Sequence, residues 1–194
     1  MGFTSPYVTE AFTAYLAETI LSKLSLAVWL KDGFTQKKPI GKLKVSILEN
    51  GKTAFRNLSG YHLFTDLPPG NYTISVSGDA YFSAETTVDT SVLDPQKPVI
   101  EITLPPTPAY PFPGNATLVR GGVTHAAPVV AAEVTVAGKP EKTLTDPQGE
   151  FVLFFRGIKT EVITIEINKG GDTQTVSATI EEGTTVSAGK ITFP

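Results

Sequence analysis

The sequence GYHLFTDLPPGNYTISV, residues 60–76, contains the clearest structural pattern in the chain. Beyond its two prolines, the apolar side chains of Tyr72, Ile74 and Val76 alternate with polar ones. Successive side chains of a β-strand point to opposite faces, so this alternation predicts a strand with one buried face. The apolar residues before the prolines predict a second strand, and the segment as a whole is a strand, a turn and a strand.

The turn in this segment has residues that suit a sharp change of chain direction. Pro68 and Pro69 restrict the backbone of a tight turn in advance, and Gly70 adopts conformations that side-chain-bearing residues avoid. Asp146 and Gly149 belong to a similar predicted turn later in the chain. We assign all five residues structural roles.

The same pattern occurs twice in the chain, at a constant offset of 89 residues. Under this offset Val45, Asn57, Gly60, Leu63 and Ile74 align with Val134, Asp146, Gly149, Val152 and Ile163. One offset that holds across several strands and a turn indicates that one domain type was duplicated. Since no helical periodicity separates the predicted strands, we expect an all-β protein made of two tandem antiparallel β-sandwiches.

The strand–turn–strand segment resembles the carboxypeptidase regulatory-like domains, which share a transthyretin-like, immunoglobulin-like β-sandwich with the B-type repeats of collagen adhesins. The resemblance rests on the Leu67-Pro68-Pro69-Gly70 turn and on the strand that opens with Tyr72. Residues 145–151 of the second unit resemble the same family more loosely. The resemblance implies the fold, whereas such domains serve enzymes, adhesins, receptors and large assemblies alike.

Residues 1–24 form an N-terminal arm with a different pattern. Its apolar residues recur every three or four positions, which predicts an amphipathic helix. A helix of this length is marginal in water by itself, so the arm should contact another surface. Two alternatives are open: the arm covers a sheet edge of the first sandwich, or it docks on another chain through Phe12, Tyr15, Leu16 and Ile20.

Five prolines in residues 105–113 interrupt the strand pattern between the two units. Proline lacks a backbone N–H and has a restricted φ, so this joint should be extended and semi-rigid. We therefore divide the chain into the arm (1–24), a first sandwich (25–104), the proline-rich linker (105–113) and a second sandwich (114–194).

Composition argues against several kinds of chemistry. The chain has no cysteine and a net charge of −3, which excludes thiol chemistry and disfavours nucleic-acid binding. The local run of lysines between residues 31 and 44 is interpreted as a solvated loop and strand edge in preference to a phosphate site. His62 and His125 have no triad context, and the acidic groups near Asp146 are too few for calcium, so we expect no catalytic residue, metal or cofactor.

The leading hypothesis is therefore a non-catalytic structural or interaction protein. Its arm would join it to a protein partner, or to a second copy, in a larger assembly such as a surface appendage or a phage-tail-like structure. The alternatives are a carbohydrate- or peptide-binding module that uses the loop at residues 79–82, and a regulatory domain of an enzyme complex. We find neither a signal peptide nor a bilayer-spanning segment, so we expect a soluble chain of unknown compartment without membrane insertion.

Overall fold

The structure is a computed structural model and describes residues 7–8, 13–14, 22–157 and 159–194. The described strands are β1 (Tyr7–Val8), β2 (Thr13–Ala14), β3 (Leu24–Asp32), β4 (Leu43–Ile47), β5 (Phe55–Arg56), β6 (His62–Thr65), β7 (Asn71–Gly78), β8 (Tyr81–Asp89), β9 (Val99–Leu104), β10 (Thr117–Thr124), β11 (Glu133–Val136), β12 (Lys142–Leu144), β13 (Glu150–Phe155), β14 (Thr160–Lys169), β15 (Asp172–Glu181) and β16 (Thr185–Thr192). The prediction of an all-β chain is confirmed.

Strands β3 to β9 form a first unit of two facing sheets. One sheet has the order β5-β6-β3-β9 and the other has the order β4-β7-β8. Buried side chains from both sheets meet in one core, among them Leu26, Val28, Ile47, Phe64 and Ile74. The turn at Pro68 and Pro69 thus links a strand of one sheet to a strand of the other.

Strands β10 to β16 form a second unit built in the same way. Its sheets have the orders β13-β10-β16 and β12-β11-β14-β15. Val119, Phe151, Ile165, Ile180 and Ile191 are among the residues of its separate core.

The expectation of purely antiparallel sandwiches is wrong for one sheet of each unit. β3 pairs in parallel with β9, and β10 pairs in parallel with β16. The paired strands are the first and the last of their unit, so all the other strands of the unit, from both sheets, lie between them in the chain. A parallel pair needs a long crossover, and here a chain of strands supplies it without a helix.

The predicted helix of the arm is not seen in the residues that the structure describes. Tyr7 pairs with Ala14 and Val8 with Thr13 in a short antiparallel ladder between β1 and β2. β-branched residues such as Val8 and Thr13 lose side-chain freedom in a helix and favour extended backbone. The remaining residues of the predicted helix up to residue 21 lie outside the described part of the chain.

The aligned segments of the two units occupy corresponding strands. Their pairing is not identical: Val45 faces Val76 in the first unit, whereas Val134 faces Ile167 and not Ile165 in the second. A register change of two residues leaves every side chain on its original face, because the strand period is two. Both cores therefore keep the same alternation.

The aligned turns also share one side-chain hydrogen bond, from the backbone N–H four residues after Asn57 or Asp146. Asn57 Oδ1 accepts the backbone N–H groups of Gly60 and Tyr61, both at 2.9 Å. Asp146 Oδ1 accepts those of Gln148 at 2.9 Å and Glu150 at 2.8 Å. This side-chain capping of a turn is the reason that Asn or Asp is needed at this position.

The glycine of the second turn has no room for a side chain. Gly149 has a φ of 76°, and a Cβ atom there would lie 2.5 Å from the carbonyl oxygen of Val123. Gly170 has a similar φ of 65° but open space around it.

We expect Gly149→Ala to lower the free energy of unfolding by about 3 kcal/mol, through backbone strain and the clash with Val123. Gly170→Ala introduces the backbone strain without a clash, so it should lower the free energy of unfolding by about 1 kcal/mol. Urea denaturation of both variants measures the difference. Equal losses would mean that the contact at Gly149 is relieved by movement of the neighbouring loop.

Candidate functional site

The four residues predicted to bind a partner, Phe12, Tyr15, Leu16 and Ile20, lie outside the described residues. The predicted turn residues are all described. Pro68 and Pro69 are exposed, and the Pro68 carbonyl oxygen accepts a hydrogen bond from the Tyr72 hydroxyl at 2.9 Å. Within the described part of the chain, no three acidic or histidine side chains group together as metal ligands, and no helix has the length and apolar character to cross a bilayer.

A network of four hydrogen bonds surrounds Asp32, a residue that sequence reasoning missed. Asp32 ends β3 and is completely buried. Its Oδ2 accepts hydrogen bonds from the hydroxyls of Tyr81 and Tyr110, both at 2.7 Å. Its Oδ1 accepts the backbone N–H groups of Phe34 at 2.7 Å and Thr35 at 2.9 Å. Four donors satisfy a carboxylate that would otherwise be costly to bury.

The two tyrosines act as permanent donors to this carboxylate. Burial raises the pKa of Tyr81 to about 12, and the hydrogen bond to Asp32 adds to the rise. Burial also raises the pKa of Tyr110, again with help from Asp32. Both hydroxyls therefore stay protonated across the neutral range.

The Asp32 network includes a residue of the loop at 79–82, which the sequence suggested for carbohydrate or peptide binding. Within residues 79–82, Tyr81 is only 3% exposed and its hydroxyl belongs to the Asp32 network. The ring is therefore closed to a ligand. The sequence held one signal for this network, because Asp32 continues the buried alternation of Leu26, Val28 and Leu30.

The proline-rich joint is packed against the first unit. The backbone N–H of Phe82 donates to the Pro105 carbonyl at 2.9 Å, and that of Thr107 donates to the Ala80 carbonyl at 3.0 Å. Three residues further on, Tyr110 enters the first core and reaches Asp32.

An aromatic cluster of Phe34, Phe112 and Phe154 joins the two units. The Phe34 ring contacts the Phe112 ring at 5.0 Å and the Phe154 ring at 5.4 Å between centroids, both edge to face. Phe34 follows β3, Phe112 lies in the joint and Phe154 lies on β13. Edge-to-face aromatic pairs add specific geometry to apolar burial.

Two arginines of the second unit donate hydrogen bonds to backbone carbonyl groups of the joint and of the first unit, next to the aromatic cluster. Arg120 Nη1 donates to the Pro108 carbonyl at 2.8 Å, and its guanidinium lies 5.7 Å from the centre of the Phe112 ring. Arg156 Nη2 donates to the carbonyl oxygens of Gly33, at 3.1 Å, and Phe34. The contact thus combines apolar packing with charged hydrogen bonds to backbone.

Several grooves open on the surface of the described residues, among them the following two. One, of about 760 Å³, lies over Gly121 and Gly122 of β10 in the second unit. Strand pairing places Glu150 on one side of Gly122 and Lys190 on the other. The second groove, of about 410 Å³, lies in the first unit, and its cationic lining residues are Lys38, Lys42, Lys44 and Arg56.

His62 lies at the second groove as the first residue of β6. It is 7% exposed and pairs directly with Arg56 across β5 and β6. Burial lowers the pKa of His62, and the positive charge of Arg56 lowers it further. The expectation that His62 occupies a packing position agrees with its burial, but its ring also lines the groove.

No protein-family model matches the chain, and no curated protein is significantly similar to it. Among solved structures, the chain is similar to the Bacillus anthracis TIE protein, with 16% identity and a TM-score of 0.30 over 85% of this chain and 33% of that one. It is also similar to a streptococcal ancillary pilin, with 16% identity and a TM-score of 0.29 over 91% of this chain and 64% of that one. The shaft pilin SpaA from Lactobacillus rhamnosus GG matches with 9% identity and a TM-score of 0.30 over 89% and 97% of the two chains.

The chain therefore spans a third of the TIE protein and less than two thirds of the ancillary pilin. At these scores the likenesses are remote. The fold described above defines the class of protein as all-β, with facing sheets around two cores.

We expect Tyr81→Phe and Tyr110→Phe each to lower the free energy of unfolding by about 2 kcal/mol, because each leaves a buried carboxylate with one donor fewer. The matched control is Tyr72→Phe. The Tyr72 hydroxyl donates to the Pro68 carbonyl at an exposed site, so its removal should change the free energy of unfolding by less than about 0.5 kcal/mol. Urea denaturation near pH 7 measures all three.

The pH dependence of the Tyr81 contribution has a definite sign. The folded pKa of about 12 lies above the ordinary value of 10.0, so this stabilisation is complete below pH 10 and is lost as the pH rises through 12. The wild-type protein should therefore lose more stability than Tyr81→Phe between pH 10 and 12. Identical alkaline profiles would contradict the assigned network.

Proposed function

We propose that the chain is a non-catalytic structural and interaction protein of a larger assembly, such as a surface appendage or a phage-tail-like structure. In this proposal two sandwich domains, residues 25–104 and 114–194, are held in a fixed relation by the joint at 105–113. The N-terminal arm attaches them to a protein partner or to a second copy of the chain.

The observation that carries the proposal is the contact between the two units. Domains that share a small polar interface move relative to each other by default. Here the joint is anchored to the buried Asp32 through Tyr110, and Phe112 contacts both Phe34 of the first unit and Phe154 of the second. Such a contact supports a protein that holds two domains in one orientation, as a spacing element must.

Two of the buried polar groups, Asp32 and Thr145, support the same proposal. Asp32 is committed to four hydrogen bonds, and the buried Thr145 hydroxyl donates to the Val129 carbonyl while it accepts the Ala132 N–H. These groups stabilise loops and strand ends. They are placed to hold structure and have no remaining capacity for a substrate.

We expect Phe112→Ala to uncouple the two units, because it removes the ring that contacts both of them. In the wild-type protein, ¹⁵N relaxation should give one rotational correlation time for both units. In the variant the units should reorient separately, with shorter correlation times for each. Phe55→Ala, at a side chain that is 54% exposed on β5, is the control and should leave the relaxation unchanged.

Unchanged correlation times in Phe112→Ala, with the fold intact, would contradict the fixed relation of the units. Arg156→Ala provides a second test of the same contact from the opposite side, and it should loosen the units to a smaller degree.

The role of the arm is tested in the full chain by Phe12→Glu and Leu16→Glu. If the arm binds a second copy, light scattering after size exclusion should give masses above 20.7 kDa that rise with concentration. Each charge should then return the chain to the monomer mass, because a carboxylate is costly at an apolar interface. Ala17→Glu, outside the predicted apolar stripe, is the control. A wild-type chain that is monomeric throughout would contradict self-association and leave a different protein as the partner of the arm.

A further inference from the structure

The smaller groove marks the place where the two sheets of the first unit separate. β4 and β5 are edge strands of different sheets. At one end the seam between them is closed, because the Ala54 N–H donates to the Val45 carbonyl at 2.9 Å and Ser46 bridges Thr53. Towards Lys42 the edges diverge, and the groove of about 410 Å³ lies between them.

The residues that line the groove carry positive charges without a compensating carboxylate. Lys42 and Lys44 belong to the β4 side, and Arg56 belongs to the β5 side. Lys38 extends along Gly60, where a Cβ atom would lie 3.4 Å from the lysine Nζ. No aspartate or glutamate is among the lining residues, although Asp79 lines a neighbouring depression together with Lys42 and Lys44.

None of these four cations forms an ion pair with a described residue. The ion pairs within 4.0 Å in the described part of the chain are Lys31 with Glu101 and Lys139 with Glu161. Cations held near each other around a concave surface repel one another and concentrate a positive potential there. An anion in the groove would relieve that repulsion.

A second and independent observation comes from His62. The residue is 7% exposed, and it lines the groove together with the four cations. Its imidazole therefore adds a polar group to the wall of the groove. Arg56 lies directly opposite on the neighbouring strand, so the imidazole and the guanidinium share one face of the sheet.

We propose that this groove is a binding site for a phosphate-type oxyanion. A phosphate group has up to two negative charges and several strong acceptor oxygens, which matches the lysine and arginine donors among the groove-lining residues. Arginine and lysine are the side chains that phosphate sites use most, and a neutral histidine supplies a further N–H. The sequence pattern alone favours the interpretation that these lysines are solvated. In the fold, Arg56 and His62 line the same groove as three of them, and these residues together form the proposed site.

The site is tested by following the His62 ring signals by NMR in the full chain near pH 7, at constant ionic strength maintained with chloride. The two probes are inorganic phosphate and dimethyl phosphate, which represent a free or terminal phosphate and a phosphodiester. We expect saturable shifts with one or both, and a rise in the pKa of His62 when the site is occupied, because a nearby anion favours the imidazolium. The probe that binds more tightly identifies the source of the phosphate.

Substitutions locate the site. Lys38→Gln and Arg56→Gln should each weaken binding about tenfold, the size of effect expected for one charged hydrogen bond. Lys37→Gln is the matched control, because it removes the same charge from an adjacent exposed lysine outside the groove lining, and it should change the affinity less than about twofold.

Absence of a saturable shift with both probes would overturn the proposal. Equal weakening by Lys37→Gln and Lys38→Gln would also overturn it, because the attraction would then be a diffuse field and not a site. Neither result depends on the arm or on the contact between the units, so the proposed function is tested separately.

Discussion

A single buried carboxylate organises the centre of this protein. Asp32 sits at the end of β3, where the chain leaves the core of the first unit, and it has no exposure to water. An isolated charge in such a place would be unstable, and its four donors stabilise it together. Two of them come from its own turn, one from the start of β8 and one from the joint. The fold of the turn, the position of β8 and the path of the joint are therefore coupled through one group.

That coupling explains how a proline-rich segment becomes part of a rigid structure. Proline cannot donate to a β-ladder, so the joint cannot be held by strand pairing along its length. Tyr110 replaces those missing bonds with one strong contact to a buried acceptor, and Phe112 follows it into the aromatic cluster with Phe34 and Phe154. Arg156 adds hydrogen bonds to the turn that Asp32 itself organises. The second unit is thus fixed to the same turn that the carboxylate holds in place.

The two units differ in how they use the same architecture. Both place a parallel pair of strands in one sheet and an antiparallel sheet opposite, around separate cores. In the first unit the seam between β4 and β5 opens next to Arg56 and His62, and a basic groove results. At the aligned position of His62, the second unit has Phe151, which is buried in its core. An apolar ring there fills the interior, whereas the imidazole of His62 and the guanidinium of Arg56 line a groove at the surface.

The sequence alone determined the elements that depend on local chemistry. Alternation identified the strands around Val45, Ile74 and Ile163, because a half-buried strand needs a period of two, and the offset between the units placed Asn57 and Asp146 in equivalent turns. Local pattern failed at the arm, where Tyr7, Val8, Thr13 and Ala14 pair as strands. A stripe of apolar residues shows that the side chains are spaced as in an amphipathic helix. It does not show whether the same backbone pairs as strands instead. The parallel pairing of β3 with β9, the burial of Asp32 beside two tyrosines and the placement of Lys38, Arg56 and His62 around one groove were decided only by the tertiary structure. The physical reason is that each brings together residues far apart in the chain, and no property of a segment records which distant segment will lie beside it.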